Sequence, residues 1–219
     1  MKNLARYIEQ TVLKPLTVDS DIVKLVAEAK TYGFVGVCVP PFWVKKAKRE
    51  IGDAPIQLVT VVGFPLGYNM SETKVFETGQ AIKDGADEID VVWSLTGFKA
   101  GLNWAKIELA KLSTLCHQHD RILKVIIETA YLSDDEIVQA CGICKDAGAD
   151  YVKTSTGFAP EGAKVEHVKL MRANLPSNVG IKASGGIKTL AQAKALIAAG
   201  ADRIGTSSGV QLLEEQKPE

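Results

Sequence analysis

The sequence lacks the features that would indicate a membrane protein, a secreted protein or a nucleic-acid-binding protein. No apolar stretch approaches the roughly 18 residues that a membrane-spanning helix needs. Residues 1–7 lack the apolar centre of a secretory signal peptide. The 26 basic residues balance 26 acidic ones, without a basic stripe or a run of like charge. We therefore expect neither a nucleic acid nor a membrane as a partner.

Cysteine is also scarce. The four cysteines, Cys38, Cys116, Cys141 and Cys144, do not suggest a disulfide framework in a chain of 219 residues, and a reducing cytoplasm fits best. Cys141 and Cys144 have the spacing of a redox or zinc motif, but they fall in a helical pattern without a second matching pair. A packed helix face is therefore favoured there over a metal site. Residues 116–119 could also bind a metal, but a polar helix end is favoured there over a metal site.

Short apolar runs, rich in Val and Ile, recur along the whole chain. Eight of them begin about 23–35 residues apart, at 10–13, 34–39, 57–62, 88–93, 123–128, 151–154, 179–183 and 203–206. This spacing is typical of βα units, and the absence of polar alternation is typical of a parallel sheet covered on both faces. The series predicts a single-domain α/β fold, a (β/α)8 TIM barrel over residues 1–219. If the first run is not a strand, an open doubly wound sheet is the alternative.

Local signals and an internal repeat refine this prediction. Ser133–Glu136 and Thr189–Gln192 have the pattern of capping boxes, and Gly33, Gly85, Gly148 and Gly200 the pattern of helix ends. Gly-Ala-Asp begins at Gly85, Gly148 and Gly200, each time before an apolar run. Counting five residues on from these glycines, and from Gly33, gives Asp90, Lys153, Gly205 and Cys38. Since alternate strands supply one interior layer of a barrel, we expect Asp90 and Lys153 together near the carboxyl ends of the strands.

Two lysines stand where apolar runs end. Burial opposes the charge on Lys153 and Lys182, and a lysine made neutral is an amine nucleophile. Each lysine would also disfavour the charge of the other, which predicts one imine-forming lysine. The alternative for Lys153 is a side chain that extends into solvent. Asp90 would either form a structural ion pair or transfer protons, and the two roles are compatible.

Small residues after the last two strands indicate an anion site. Gly185 and Gly186 follow the seventh run, and residues 205–209 follow the eighth. In TIM barrels these loops often hold phosphate through backbone N–H groups and a short helix N-terminus. Either loop alone would indicate only a turn. Glu128 and Thr129, at the end of the fifth run, would either line the pocket or form a structural hydrogen bond.

Six motifs, spread over nearly the whole chain, resemble those of the deoxyribose-phosphate aldolase family: VVGFPLG (61–67), EIDVV (88–92), KVIIET (124–129), KTSTGF (153–158), IKASGG (181–186) and GTSSG (205–209). The resemblance implies a class I aldolase on a (β/α)8 barrel, without metal or organic cofactor. It implies Lys153 as the Schiff-base lysine, Lys182 as the second catalytic lysine and Asp90 as the proton relay. The phosphate contacts it implies are Gly157, Gly185, Gly186, Ser207 and Ser208. Phosphosugar and aldehyde substrates and a homodimer are implied as partners.

Some positions depart from the family pattern. Many relatives have Asp-His-Thr in the first strand, where this chain has Glu9-Gln10-Thr11. Some relatives have a lysine in place of Phe158, and longer ones a C-terminal tyrosine that residues 212–219 lack. Two alternatives to the aldolase remain: another imine-forming enzyme of phosphosugars, and a barrel that binds phosphosugars without catalysis.

Overall fold

Eight parallel strands form a closed barrel in the computed structural model, which describes residues 4–216. Each strand pairs with the next, and β8 pairs with β1, so the predicted barrel is confirmed and the open sheet is wrong. The strands are β1 (Ile8–Thr11), β2 (Gly36–Val39), β3 (Gln57–Val62), β4 (Glu88–Val92), β5 (Ile122–Ile126), β6 (Tyr151–Lys153), β7 (Gly180–Ser184) and β8 (Arg203–Thr206). The start of the chain at 1–3 and the end of its tyrosine-free tail at 217–219 lie outside the described residues.

Helices follow the strands and surround the barrel. The α-helices are α1 (Asp19–Tyr32), α2 (Val44–Ile51), α3 (Ser71–Lys83), α4 (Leu95–Lys99), α5 (Trp104–Gln118), α6 (Asp134–Asp146), α7 (Val165–Asn174), α8 (Leu190–Ala198) and α9 (Gly209–Glu214). Short 3-10 helices lie at Leu4–Tyr7, Pro41–Trp43 and Thr129–Tyr131. Within residues 4–216, no helix has the length and apolar character needed to cross a membrane.

The first strand does not lie where the sequence predicted it. β1 spans Ile8–Thr11, two residues before the predicted run at 10–13. The difference arises because Glu9, a fully buried carboxylate, lies within the strand, so residues 8–11 do not form an apolar run in the sequence. The bounds of several other predicted runs differ by one or two residues from those of the strands. The reason is that apolar side chains such as Phe34 and Ile127 are also buried just outside the strands.

Both predicted capping boxes are present. Ser133 Oγ accepts a hydrogen bond from the N–H of Glu136, whose carboxylate accepts from the N–H of Ser133. Thr189 and Gln192 form the same pair at the start of α8. Gly33 ends α1 in the left-handed conformation, with φ of 69°. Gly85, Gly148 and Gly200 follow helices in the same way, also at positive φ.

The Gly-Ala-Asp repeat fixes the register of neighbouring strands. The carboxylate of Asp87 accepts a hydrogen bond from the N–H of Leu58 at 2.9 Å, across the start of β3 and β4. Asp150 accepts from Leu123 and Asp202 from Ile181, each at 2.8 Å. Because each repeat binds the preceding strand at the same point, residues at the same distance from the glycines lie at equivalent heights in the barrel.

The barrel has an apolar outer layer and a charged interior. The helices pack on the strands through one large cluster of buried apolar side chains, to which Ile89, Val91 and Val125 belong. Alternating with them, Asp90 and Lys124 are fully buried and point inward. The cohesion of the fold therefore lies mainly between sheet and helices, in a layer that is largely apolar.

The cysteines belong to the buried parts of the fold. Cys141 and Cys144 lie in α6 and pack in the apolar cluster, in agreement with the helix-face interpretation. Burial raises the pKa of the Cys141 thiol to about 12. Cys116 is buried as well, whereas His117, Gln118 and His119 are exposed and give the end of α5 the predicted polar character. His117 Nε2 lies 3.0 Å from Asp150 Oδ2.

Replacement of Asp150 tests the role of the repeat. Asp150→Ala leaves the buried N–H of Leu123 without its acceptor, so we expect the free energy of unfolding to fall by about 1–3 kcal/mol in urea denaturation. Asp150→Asn keeps an acceptor oxygen and should lose clearly less. Equal losses in the two variants would contradict the assignment.

Candidate active site

Asp90, Lys153 and Lys182 meet inside the barrel near the carboxyl ends of the strands. Lys153 is the last residue of β6 and lies beside Lys182 of β7 in the strand register. The Nζ atoms of these lysines lie 2.8 Å and 2.7 Å from the same atom, Asp90 Oδ2 of β4. The count from the repeat glycines thus placed Asp90 and Lys153 together, with Lys182 between β6 and β8.

A third buried lysine joins them, and the sequence analysis missed it. Lys124 lies opposite Asp90 in the register of β4 and β5, and its Nζ is 3.0 Å from Asp90 Oδ1. Lys124 also forms a close ion pair with Glu88, the first residue of β4. Its signal was present in the sequence, because a charged residue inside the apolar run at 123–128 is as unusual as Asp90 in its own run.

Glu9 completes the anionic side of the site. It forms a close ion pair with Lys182 across the barrel and lies 3.6 Å from the Nζ of Lys124. Arg203, at the start of β8, faces both Glu9 at 3.6 Å and Glu88 at 3.9 Å. The seven side chains are called here the interior charge cluster: Glu9, Glu88, Asp90, Lys124, Lys153, Lys182 and Arg203.

The ion pairs of the cluster outweigh the cost of burial. Burial alone would raise the pKa of Asp90, but Lys124, Lys153 and Lys182 hold it well below its usual range. Burial opposes the charge of Lys182 too, yet Asp90 and Glu9 raise its pKa above the ordinary value. The same balance, with Asp90, Glu9 and Glu88, raises the pKa of Lys124 well above it. Asp90, Lys124 and Lys182 are therefore ionised near neutral pH.

The cations of the cluster are not equally compensated. Within ion-pair distance, Lys124 faces Glu9, Glu88 and Asp90, and Lys182 faces Glu9 and Asp90. Lys153 faces Asp90 alone among the described residues. Three carboxylates stand against four cationic groups, so the cluster is neutral when one cation loses its proton. Of the three lysines, Lys153 has the fewest carboxylates within ion-pair distance.

A cavity of about 810 Å³ opens above this cluster. Lys153 is the one lysine of the cluster that lines it, and 3% of its surface is exposed. All the residues predicted to hold phosphate line the same cavity: Gly157, Gly185, Gly186, Ser207 and Ser208. The three glycines have φ values of 86°, 87° and 74°, which is typical of backbone turns that direct N–H groups at an anion.

The start of α9 differs from the expectation for a phosphate site. The N–H of Gly209 donates to Gln10 Oε1 at 3.0 Å, and the N–H of Ser208 donates to Thr206 Oγ1 at 3.0 Å. These two N–H groups are therefore engaged by the chain itself. The hydroxyls of Ser207 and Ser208 and the glycine turns remain as the candidate phosphate contacts.

Glu128 holds the loop that follows Lys153. Its carboxylate accepts hydrogen bonds from the N–H of Thr156 at 3.1 Å and, at closer range, from the hydroxyl. Burial raises the pKa of Glu128. The structural interpretation of this residue therefore agrees with the geometry. Phe158, further along the loop, lies edge-on to Phe64 with ring centres 5.3 Å apart and brings no cation to the cavity.

Comparison with known proteins gives a consistent result. A family model described as DeoC/LacD family aldolase matches residues 4–214. A deoxyribose-phosphate aldolase of Caldanaerobacter subterraneus subsp. tengcongensis is 49% identical over 219 residues, which cover 99% of this chain and 95% of that protein. One of Clostridium botulinum (strain Langeland) is 50% identical over 211 residues, with 96% and 99% covered.

Solved structures show the same similarity. An aldolase designated QR15 superposes with a TM-score of 0.93 and 41% identity, covering 99% of this chain and 96% of its own. The deoxyribose phosphate aldolase of Aeropyrum pernix, described as having a unique tetrameric structure, has a TM-score of 0.91 and 34% identity, with 97% of this chain and 90% of its own covered.

A glycine where two loops touch tests the anion site. A Cβ at Gly162 would lie 2.1 Å from the carbonyl oxygen of Gly185, so Gly162→Ala must displace the Gly185–Gly186 turn. We expect inorganic phosphate to bind about tenfold more weakly, measured by calorimetric titration, because overpacking costs about 1–3 kcal/mol. Gly142→Ala, in a helix with open space around it, is the matched control. Unchanged phosphate affinity in Gly162→Ala would argue against this site.

Proposed function

The chain belongs to the DeoC/LacD family of aldolases, and from this premise we propose that it is a deoxyribose-phosphate aldolase whose Schiff base forms on Lys153. The enzyme, a lyase, interconverts 2-deoxy-D-ribose 5-phosphate with D-glyceraldehyde 3-phosphate and acetaldehyde, and so serves the degradation of deoxynucleoside sugars. The observation that carries the assignment of the nucleophile is the single carboxylate partner of Lys153 at the floor of the cavity.

The reaction begins with the neutral amine of Lys153. Its Nζ attacks C1 of the open-chain sugar, and the nitrogen loses one proton while the carbonyl oxygen gains one, which gives a neutral carbinolamine. A second proton converts the hydroxyl into water, which leaves, and a protonated imine remains. Lys182, held as an ammonium by Asp90 and Glu9, is the proton donor nearest to Lys153.

Cleavage follows from the electron demand of the imine. Asp90, directly or through a water molecule, accepts the proton of the C3 hydroxyl, and the C2–C3 bond breaks. The electron pair of that bond forms an enamine, and glyceraldehyde 3-phosphate leaves. Protonation of the enamine carbon gives the imine of acetaldehyde, and addition of water releases acetaldehyde and regenerates the amine. No step requires a metal or an organic cofactor.

Phosphate binding positions the sugar for these steps. The glycine turns at Gly157, Gly185 and Gly186 line the cavity together with Ser207 and Ser208, and Lys153 lies at the same cavity. A phosphate fixed by them holds C1 near the amine, and such positioning can lower a barrier by several kcal/mol. Phe158 occupies the position of a lysine in some relatives, so this residue brings no charge to the phosphate.

The wider properties of the protein follow from the same assignment. We propose that residues 1–219 form one catalytic domain, active in the cytoplasm as a homodimer, with phosphosugars and aldehydes as its partners. The family resemblance supports the dimer, although the Aeropyrum pernix relative is described as tetrameric. Light scattering coupled to size-exclusion chromatography distinguishes the two assemblies.

Replacement of Lys153 tests the nucleophile. Lys153→Met should abolish turnover, and borohydride reduction in the presence of acetaldehyde should no longer attach a two-carbon group, as read by peptide mass spectrometry. In the native protein the group should lie on Lys153. Lys194→Met, an exposed lysine of α8, is the control and should react like the native protein. Turnover supported by pyruvate or dihydroxyacetone phosphate as donor would instead indicate another imine-forming aldolase.

Replacement of Lys182 tests its influence on the nucleophile. Lys182→Met removes a positive charge beside Lys153. It also leaves Asp90 Oδ2 to pair with Lys153 and no longer with Lys182, so Lys153 should hold its proton more strongly. We expect the acidic limb of the pH profile of kcat/KM to move upward by about one pH unit, together with a large drop in kcat. An acidic limb at its native position would show that Lys182 does not affect Lys153.

A further inference from the structure

Asp90 does not distinguish between Lys153, at the floor of the cavity, and its neighbour Lys182. The Nζ atoms of Lys153 and Lys182 lie 2.8 Å and 2.7 Å from the same oxygen, Asp90 Oδ2. Both side chains are buried, and they are neighbours in the register of β6 and β7. With Asp90 alone, a proton would reside on either lysine at nearly equal cost.

Glu9 removes this equivalence. Its carboxylate forms a close ion pair with Lys182, whereas the described ion pairs of Lys153 do not include it. The contact joins residues that are 173 positions apart, from β1 to β7, across the intervening β8. Lys182 therefore has two carboxylates where Lys153 has one.

The barrel provides space for this contact. Glu9 lies between Gly36 of β2 and Gly205 of β8 in the strand register. A Cβ at Gly205 would lie 3.1 Å from Lys182 Cε, and one at Gly36 would lie 3.5 Å from Glu9 Cγ. Two small residues thus flank the carboxylate, and the one on β8 leaves room for the stem of Lys182 to cross toward it.

The other ionisable groups around the two lysines do not substitute for Glu9. Burial raises the pKa of the Cys38 thiol on β2 to about 11, so this group is uncharged near neutral pH. Glu88 is directed at Lys124 and Arg203, and Glu128 at Thr156. Lys124, on β5, faces the same Asp90 as both lysines.

We propose that Glu9 is a positioning residue, which holds the shared proton on Lys182 and thereby leaves the amine of Lys153 free to attack the carbonyl. This inference rests on the proposed aldolase function. It gives the first strand a part in selecting the nucleophile, at a position where this chain has Glu and many relatives have Asp. The carboxylate is the essential feature, and the longer side chain of Glu9 extends its reach toward Lys182.

The pH dependence of Glu9→Gln tests the proposal. Loss of the carboxylate makes Lys182 give up its proton at lower pH, so the basic limb of the kcat profile, where the proton donor is lost, should move downward by about 1–3 pH units. The acidic limb should move less, because Glu9 has no ion pair with Lys153. Glu9→Asp restores the charge and should return the basic limb toward its native position.

Glu88→Gln is the matched control, because it removes the same charge from the same interior but from a residue that pairs with Lys124 and Arg203. Its basic limb should move clearly less than that of Glu9→Gln. If Glu9→Gln does not fold, the double variant Glu9→Gln/Arg203→Gln removes an anion and a cation together and keeps the interior charge balanced. The same downward shift is expected in it.

A uniform loss of kcat in Glu9→Gln, with both limbs at their native positions, would overturn the proposal and leave Glu9 a structural role. An equal shift in Glu88→Gln would overturn it too, since the effect would then be that of net charge. These outcomes can be distinguished from a failure of the aldolase assignment. In that case the native protein itself would form no reducible adduct with acetaldehyde.

Discussion

The carboxylate of Asp90 is the group on which the arrangement of the site depends. It accepts hydrogen bonds from the Nζ atoms of three buried lysines, which without it would lie close together in a region that excludes water. A buried ion pair offsets the cost of desolvation only when its geometry is good and its remaining bonds are satisfied. Both oxygens of Asp90 meet this condition. One carboxylate thereby makes it possible to bury the proposed nucleophile, Lys153, beside Lys182.

The apolar layer between sheet and helices stabilises the fold, whereas the charged interior holds the groups proposed to react. Residues such as Ile89 and Val91 face the helices, whereas Asp90 between them faces the site. The alternation of a β-strand places these two functions one residue apart. The helices can therefore hold the strands in register without contacting the interior charge cluster. The buried ion pair between Lys74 of α3 and Glu108 of α5 shows that ion pairs outside that cluster stabilise the fold.

Much of the fold and part of the site followed from the sequence. The Gly-Ala-Asp repeat aligned β4, β6 and β8, because its aspartates bind neighbouring strands at equivalent points, and Asp90 and Lys153 were placed together for that reason. Glu9 was noted only as a departure from the Asp-His-Thr of many relatives, and its place in the site was missed. A carboxylate interrupts the apolar character of residues 8–11, so the predicted strand was placed after it. Lys124 was overlooked because the prediction rested on lysines at the ends of apolar runs, and Lys124 lies in the middle of β5. The contact of Gln10 with Gly209 joins residues 199 positions apart, which no local pattern encodes.

The closure of the barrel between β1 and β8 has a consequence for how the site comes into being. Glu9 enters with the first strand and Arg203 with the last, while the lysines belong to the strands between them. Before the ring closes, Lys182 lacks one of its two counter-charges, because the three carboxylates lie on β1 and β4 and the four cationic groups on β5–β8. Assembly of the cluster and completion of the ring are therefore coupled, which favours cooperative folding. The reactivity of the proposed nucleophile, Lys153, therefore depends on the closed ring of all eight strands.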